Sequence, residues 1–79
     1  MVKPLFIKHN SSFKNLTDRE WQIICLLNKG LKTVEIANKL NIKPNTVSTI
    51  KKNSFFKLSI KNILELHKLS YKEGLLNLD

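Results

Sequence analysis

The side chains best placed for chemistry lie in KPNTVSTIKK, residues 43–52. On a helix Ser48, Thr49 and Lys52 share one face, because residues three and four apart are neighbours there. Each hydroxyl offers a donor and an acceptor, and the Lys52 ammonium can reach the acceptor edge of guanine, so the stripe suits base edges in a duplex major groove. A polar helix facing water would explain the same composition. It would not explain the tight turn that precedes it.

Other chemistries lack their parts. His9, His67 and Cys25 provide no metal-ligand spacing, and Glu65 with His67 is not a zinc-protease pattern. There is no glycine-rich phosphate loop and no credible Ser/His/Asp set. No enzyme activity, cofactor or metal is expected.

The charge agrees with an anionic partner. Fourteen Lys and Arg stand against six Asp and Glu, a formal net charge of +8, which favours nucleic acid or an acidic membrane surface. Between Ile36 and Leu64 lie Lys39, Lys43, Lys51, Lys52, Lys57 and Lys61 with no acid among them, whereas Asp18 and Glu20 precede that stretch. The positive field is therefore centred on the segment that carries the hydroxyls. A lone Cys25 within Ile23–Leu27 reads as a reduced core residue. That apolar run is far shorter than the roughly 20 residues needed to cross a bilayer, and MVKPLFIKHNSS has no signal-peptide apolar region. A cytoplasmic, nucleoid-associated protein with no membrane partner is expected.

Four helices must position this segment. Residues 1–15 show no sustained period, and Pro4 with Asn10-Ser11-Ser12 reads as an arm or linker. Thr17-Asp18-Arg19-Glu20 is a capping box that starts the first helix, with Leu16 as its preceding staple, Trp21 partly on the buried face, and Gly30 as its left-handed terminator. Thr33 can cap a short second helix whose buried face is Ile36, Ala37 and Leu40, and Asn41 tolerates the left-handed conformation that ends it. Pro44 suits the first position of a third helix, spanning about 44–56. Its inner side carries Val47, Ile50 or Lys51, Ser54 or Phe55, and Leu58; Asn45, Ser48, Thr49, Lys52 and Phe56 fall on the other. After a break at residues 57–61, Asn62 and Glu65 can cap a fourth helix near 63–71, with Gly74 closing it. No strand alternation stands out, so the class is all-α.

A short helix, a tight turn and a second helix form a helix-turn-helix, in which the second helix enters the major groove and the first braces it. At this point LTDRE (16–20), GL (30–31), EIANKLNI (35–42), TVST (46–49) and KLSIKNILEL (57–66) together resemble the LuxR/FixJ-type (GerE-like) DNA-binding domain of bacterial transcription regulators. The resemblance covers roughly residues 16–70 and implies a four-helix bundle-like helix-turn-helix domain at 16–73, with a short tail at 74–79. It implies a recognition helix at 44–56, base contacts from Ser48, Thr49 and Lys52, and phosphate contacts from Lys32, Thr33, Lys43, Thr46 and Lys51. The family's common capping Ser is Lys43 here, its usual large aliphatic is Ser54, and its common aromatic or His is Ile50.

The resemblance also makes residues 62–71 a C-terminal dimerisation helix. That segment carries more apolar surface than one buried face needs, and Leu64, His67, Lys68 and Tyr71 are the candidates for a two-fold contact. The expected function is sequence-specific binding of double-stranded DNA by a homodimeric transcription regulator on a roughly palindromic site. Two alternatives stay open: a sigma-factor region 4-like module, which would bring RNA polymerase in as a partner, and a helical protein that heterodimerises with a related regulator and blocks it.

Overall fold

The structure is a computed structural model that describes residues 12–73. A 3₁₀ turn at Ser12–Asn15 leads into α1 (Asp18–Asn28), α2 (Thr33–Leu40), α3 (Pro44–Leu58) and α4 (Ile63–Lys72). There is no strand among the described residues. The all-α class and the four helices are as expected.

The ends of these helices follow from local hydrogen bonding. At the start of α1, Thr17 Oγ1 accepts the Glu20 N–H at 3.2 Å and Glu20 Oε1 accepts the Thr17 N–H at 2.9 Å, so two otherwise unpaired donors are satisfied reciprocally. The helix stops because Gly30 takes φ 97°. That turn lets the Gly30 N–H reach the Leu27 carbonyl at 2.9 Å and the Leu31 N–H reach Leu26 at 3.2 Å, a paired C-terminal closure.

The start of α2 differs from expectation. Thr33 is the first residue of the helix rather than its cap, and Lys32 occupies the cap position. The Lys32 backbone N–H donates to Glu35 Oε1 at 2.7 Å. A carboxylate three residues into the helix thus supplies an acceptor from within, and no hydroxyl is required ahead of it. Asn41 then takes φ 58° and the Ile42 N–H closes onto the Ala37 carbonyl at 3.0 Å.

Pro44 opens α3, as its fixed φ and missing N–H suit. The helix runs to Leu58, two residues past the expected end, so the break at 57–61 is shorter than the sequence suggested. Leu58 is buried and holds this last turn on the core. Ser59 ends it at φ 58°, with the Ile60 N–H bonded to the Phe55 carbonyl at 3.0 Å. In α4, Asn62 Oδ1 accepts the Glu65 N–H at 2.9 Å, while the Glu65 carboxylate takes the N–H of Lys61 at 2.7 Å. Gly74 and the tail at 74–79 lie outside the described residues.

Helix α3 packs against both α1 and α2, and α4 lies against α1. Ile23, Ile24 and Leu27 of α1 meet Ile36 and Ala37 of α2, Val47, Phe55 and Leu58 of α3, and Leu66 of α4 in one buried cluster; Leu40 and Cys25 are half-buried against it. Ala37, nearly devoid of exposure, allows the close crossing of α2 and α3 that a helix-turn-helix needs. Trp21 is fully part of this cluster. Its ring meets that of Phe13 edge-on, 5.3 Å between centroids at 64°, an arrangement favoured by the ring quadrupoles. Phe13, read from sequence as part of an arm, is wholly buried.

Candidate nucleic-acid interface

Packing decides which side of α3 is available. Val47, Ser54, Phe55 and Leu58 are buried, and they occupy one side of the helix; Ser48, Thr49 and Lys52 are all exposed. With about 100° between successive residues, Asn45, Ser48, Thr49, Lys52 and Phe56 lie within one arc of roughly 100°. Val47, Ser54 and Leu58 face away from this arc, and buried Phe55 lies at its edge. The expected outward stripe is therefore present, and nothing within the described chain covers it.

One of the departures from the family pattern is absorbed locally. Ser54 is wholly buried, but its hydroxyl donates to the Ile50 carbonyl at 2.7 Å within α3, which removes the penalty of an unpaired buried donor. Lys43 makes no side-chain bond to the helix start, so its ammonium is left available at the mouth of α3.

The candidate phosphate-contacting residues divide into two groups. Lys32, Thr33 and Lys51 come together around an open cleft of about 270 Å³ whose apolar floor includes Leu27, Leu31 and Ile63. Lys43 and Thr46 do not line it; both are exposed at the N-terminal end of α3. In projection, Lys51 and Thr46 stand on opposite shoulders of the outward stripe. Lys51 is half-buried, and its Nζ sits over the Phe55 ring, 5.5 Å from the centroid, within reach of a cation–π attraction.

Two contacts brace the helices that present this surface, and neither was evident from sequence. Lys57 Nζ, in the last turn of α3, donates to Glu20 Oε1 at 2.8 Å. Burial pushes the Glu20 carboxyl upward, but the Lys57 ammonium and the bonds from Thr17 outweigh it, and its pKa lies below the ordinary value. Thirty-seven residues separate the partners, so no local spacing rule could have paired them. Across the other junction, His67 Nδ1 of α4 lies 3.0 Å from Asn28 Oδ1 at the end of α1.

The candidate dimer residues are not equivalent. Leu64 is 58% exposed and Tyr71 74%, and with exposed Lys68 they recur at the spacing of one helix face. His67 is half-buried and already engaged by Asn28. Ile63 adds a partly exposed apolar residue at the start of α4. Among the described residues there is no cluster of three or more potential metal ligands, and no helix is long and apolar enough to cross a membrane.

The family described as bacterial regulatory proteins, luxR family, matches residues 14–70. Response regulator UvrY of Escherichia coli (strain K12) is 40% identical over 70 residues, 89% of this chain and 32% of the relative. Response regulator GacA of Pseudomonas aeruginosa (strain PAO1) is 36% identical over 70 residues, 89% of this chain and 33% of the relative. The chain thus spans about a third of the length of these relatives. No solved structure gives a significant match. The chain belongs to the luxR family of bacterial regulatory proteins, and α1 to α4 are its helix-turn-helix DNA-binding domain.

Proposed function

We infer that the protein is a sequence-specific transcription regulator that reads duplex DNA through α3 and acts as a homodimer on a roughly palindromic site. The observation that carries this reading is the outward stripe of α3: Ser48, Thr49 and Lys52 are exposed together while Val47, Ser54 and Leu58 are buried on the opposite side. In the groove, the two hydroxyls meet base edges and Lys52 meets a guanine acceptor. Lys32, Thr33 and Lys51 on one shoulder, with Lys43 and Thr46 on the other, meet phosphates and set register without reading sequence.

The exposed face of α4 supports pairing of two copies. Leu64, Lys68 and Tyr71 form the contact, with His67 at its edge, and the two α3 helices then meet half-sites about 34 Å apart. By the same reading the protein works in the cytoplasm at the nucleoid, with RNA polymerase as the downstream partner of the bound dimer. The domain proper comprises residues 16–73, extended at its start by the 3₁₀ turn Ser12–Asn15 that packs Phe13 in the core, with a flanking segment at 74–79.

Selection of bound fragments from random duplex DNA, followed by salt titration on the winner, tests the reading. A two-fold-related motif should be enriched, and affinity should fall steeply with salt. Recovery of no preferred sequence would remove it. The exposed α4 face also fits a heterodimer that blocks a related regulator without reading DNA. That second reading requires inhibition to survive alanine at Lys52.

A further inference from the structure

Phe56 is 85% exposed, more than any other large apolar side chain among the described residues. Its neighbour Phe55 is buried, so the helix has already supplied an aromatic ring to the core. Phe56 lies about 100° further round the helix, one turn beyond Lys52, and in projection falls between Lys52 and Thr49. Isolated exposed apolar residues ordinarily call for no explanation. This one stands within the polar stripe that the proposed function puts into the groove.

The chemistry of that groove offers such a ring one good partner. Thymine presents a C5-methyl group in the major groove, and apolar side chains including Phe recognise it. A phosphate offers the ring nothing, since it has neither a hydrogen-bond donor nor a charge. Val34 on α2, and Ile63, Leu64 and Tyr71 on α4, are exposed on other helices, so Phe56 does not extend a continuous apolar patch on α3.

We propose that Phe56 is a fourth sequence-reading residue, packing against the methyl group of a thymine beyond the base pair met by Lys52. The four residues separating the two side chains advance about 6 Å along the helix, close to two base-pair steps at about 3.4 Å each. The thymine therefore lies one to three pairs further along the half-site. The proposal rests on α3 being the helix in the groove.

The test uses the 79-residue chain and its selected duplex, with each thymine replaced singly by deoxyuridine, which removes only the methyl group. Binding by the parent protein should weaken about fourfold at one position, the equivalent of one buried methyl-sized group. Phe56→Ala should bind the thymine duplex more weakly by a similar factor, lose the distinction between thymine and uracil, and keep the parent's salt slope. Phe56→Leu should retain the distinction.

Indifference of the parent to every uracil, with specificity still dependent on Lys52, overturns the proposal and leaves the function standing. Equal weakening of Phe56→Ala on all DNA sequences assigns the ring to the DNA backbone and also overturns it. Unchanged DNA binding with lost transcriptional output assigns the ring to a protein partner instead. Absence of any preferred duplex removes both the proposal and the reading on which it rests.

Discussion

Glu20 of α1 and Lys57 of α3 meet at 2.8 Å, and the same Glu20 oxygen accepts the Thr17 N–H at 2.9 Å. One carboxylate thus caps the first helix and ties down the last turn of the helix proposed to enter DNA. Because Glu20 is nearly buried while Lys57 remains substantially exposed, most of its value depends on the anion staying charged in place.

The Glu20 pKa lies below its ordinary value because Lys57 and the Thr17 bonds outweigh the upward push of burial. The sign follows from linkage: this stabilisation is full above the ordinary glutamate pKa of about 4.3 and is lost as pH falls through the lower folded value. The stability gap between the parent and Glu20→Gln should narrow as pH falls from about 5 towards 3. Thermal melts across that window check it, and a constant gap would refute the linkage. Lys57→Met should cost only about 0.5 kcal/mol, given the exposure of the lysine.

Phe13 is wholly buried against Trp21. Phe13→Ala should destabilise the fold by about 3–5 kcal/mol, the range for removing a buried aromatic side chain. Chemical denaturation measures it. A loss under about 1 kcal/mol would show that the 3₁₀ turn is not part of the cooperative unit.

Gly30 and Ser59 both end helices at positive φ, 97° and 58°, and substitutions there should act in opposite directions. A Cβ added at Gly30 would meet nothing within 4 Å, so Gly30→Ala should cost about 1 kcal/mol through backbone conformation alone. Ser59→Gly should stabilise by about 0.5–1 kcal/mol, since glycine adopts the left-handed conformation without a Cβ penalty. Unfolding midpoints that move together would contradict this account.

Lys51 and Lys52 are adjacent in sequence but occupy different sides of α3, one half-buried on a shoulder and the other in the outward stripe. Lys51→Ala should weaken binding to all DNA and reduce the salt slope by about one unit. Lys52→Ala should cost about 1–3 kcal/mol chiefly on the preferred site. Fluorescence anisotropy on specific and random duplexes at several salt concentrations separates the two, and equal losses on every sequence for both variants would abolish the division of roles.

Leu64 and Tyr71 are exposed on α4, so charge can be introduced there without entering the core. Leu64→Glu and Tyr71→Glu should leave the melting temperature within a few degrees and convert dimers to monomers in sedimentation. His67→Ala should behave differently and lower stability as well, because it also removes the bond to Asn28. Monomeric behaviour of the parent at DNA-binding concentrations would eliminate the α4 dimer.

Much of the architecture was legible in residue order because helix ends are decided locally. Thr17 with Glu20, Gly30, Asn41, Pro44 and Asn62 each act through hydrogen bonds or backbone preferences spanning a few residues, and each stands where the chain turns. The misplacements have local causes too. Glu35 made a hydroxyl cap at Thr33 unnecessary, and Ser59 took the left-handed conformation without the glycine that usually signals it.

By itself, then, the order of residues determined the four helices, the central positive charge, and the separation of an apolar from a polar side on α3, since all of these depend on near neighbours and composition. Tertiary structure decided that Phe13 joins the core, that Glu20 reaches Lys57, that His67 meets Asn28, and that Lys32, Thr33 and Lys51 share a cleft. Such pairings join residues distant in the chain. They arise only when burial of apolar faces sets how the helices cross, and no local periodicity encodes that geometry.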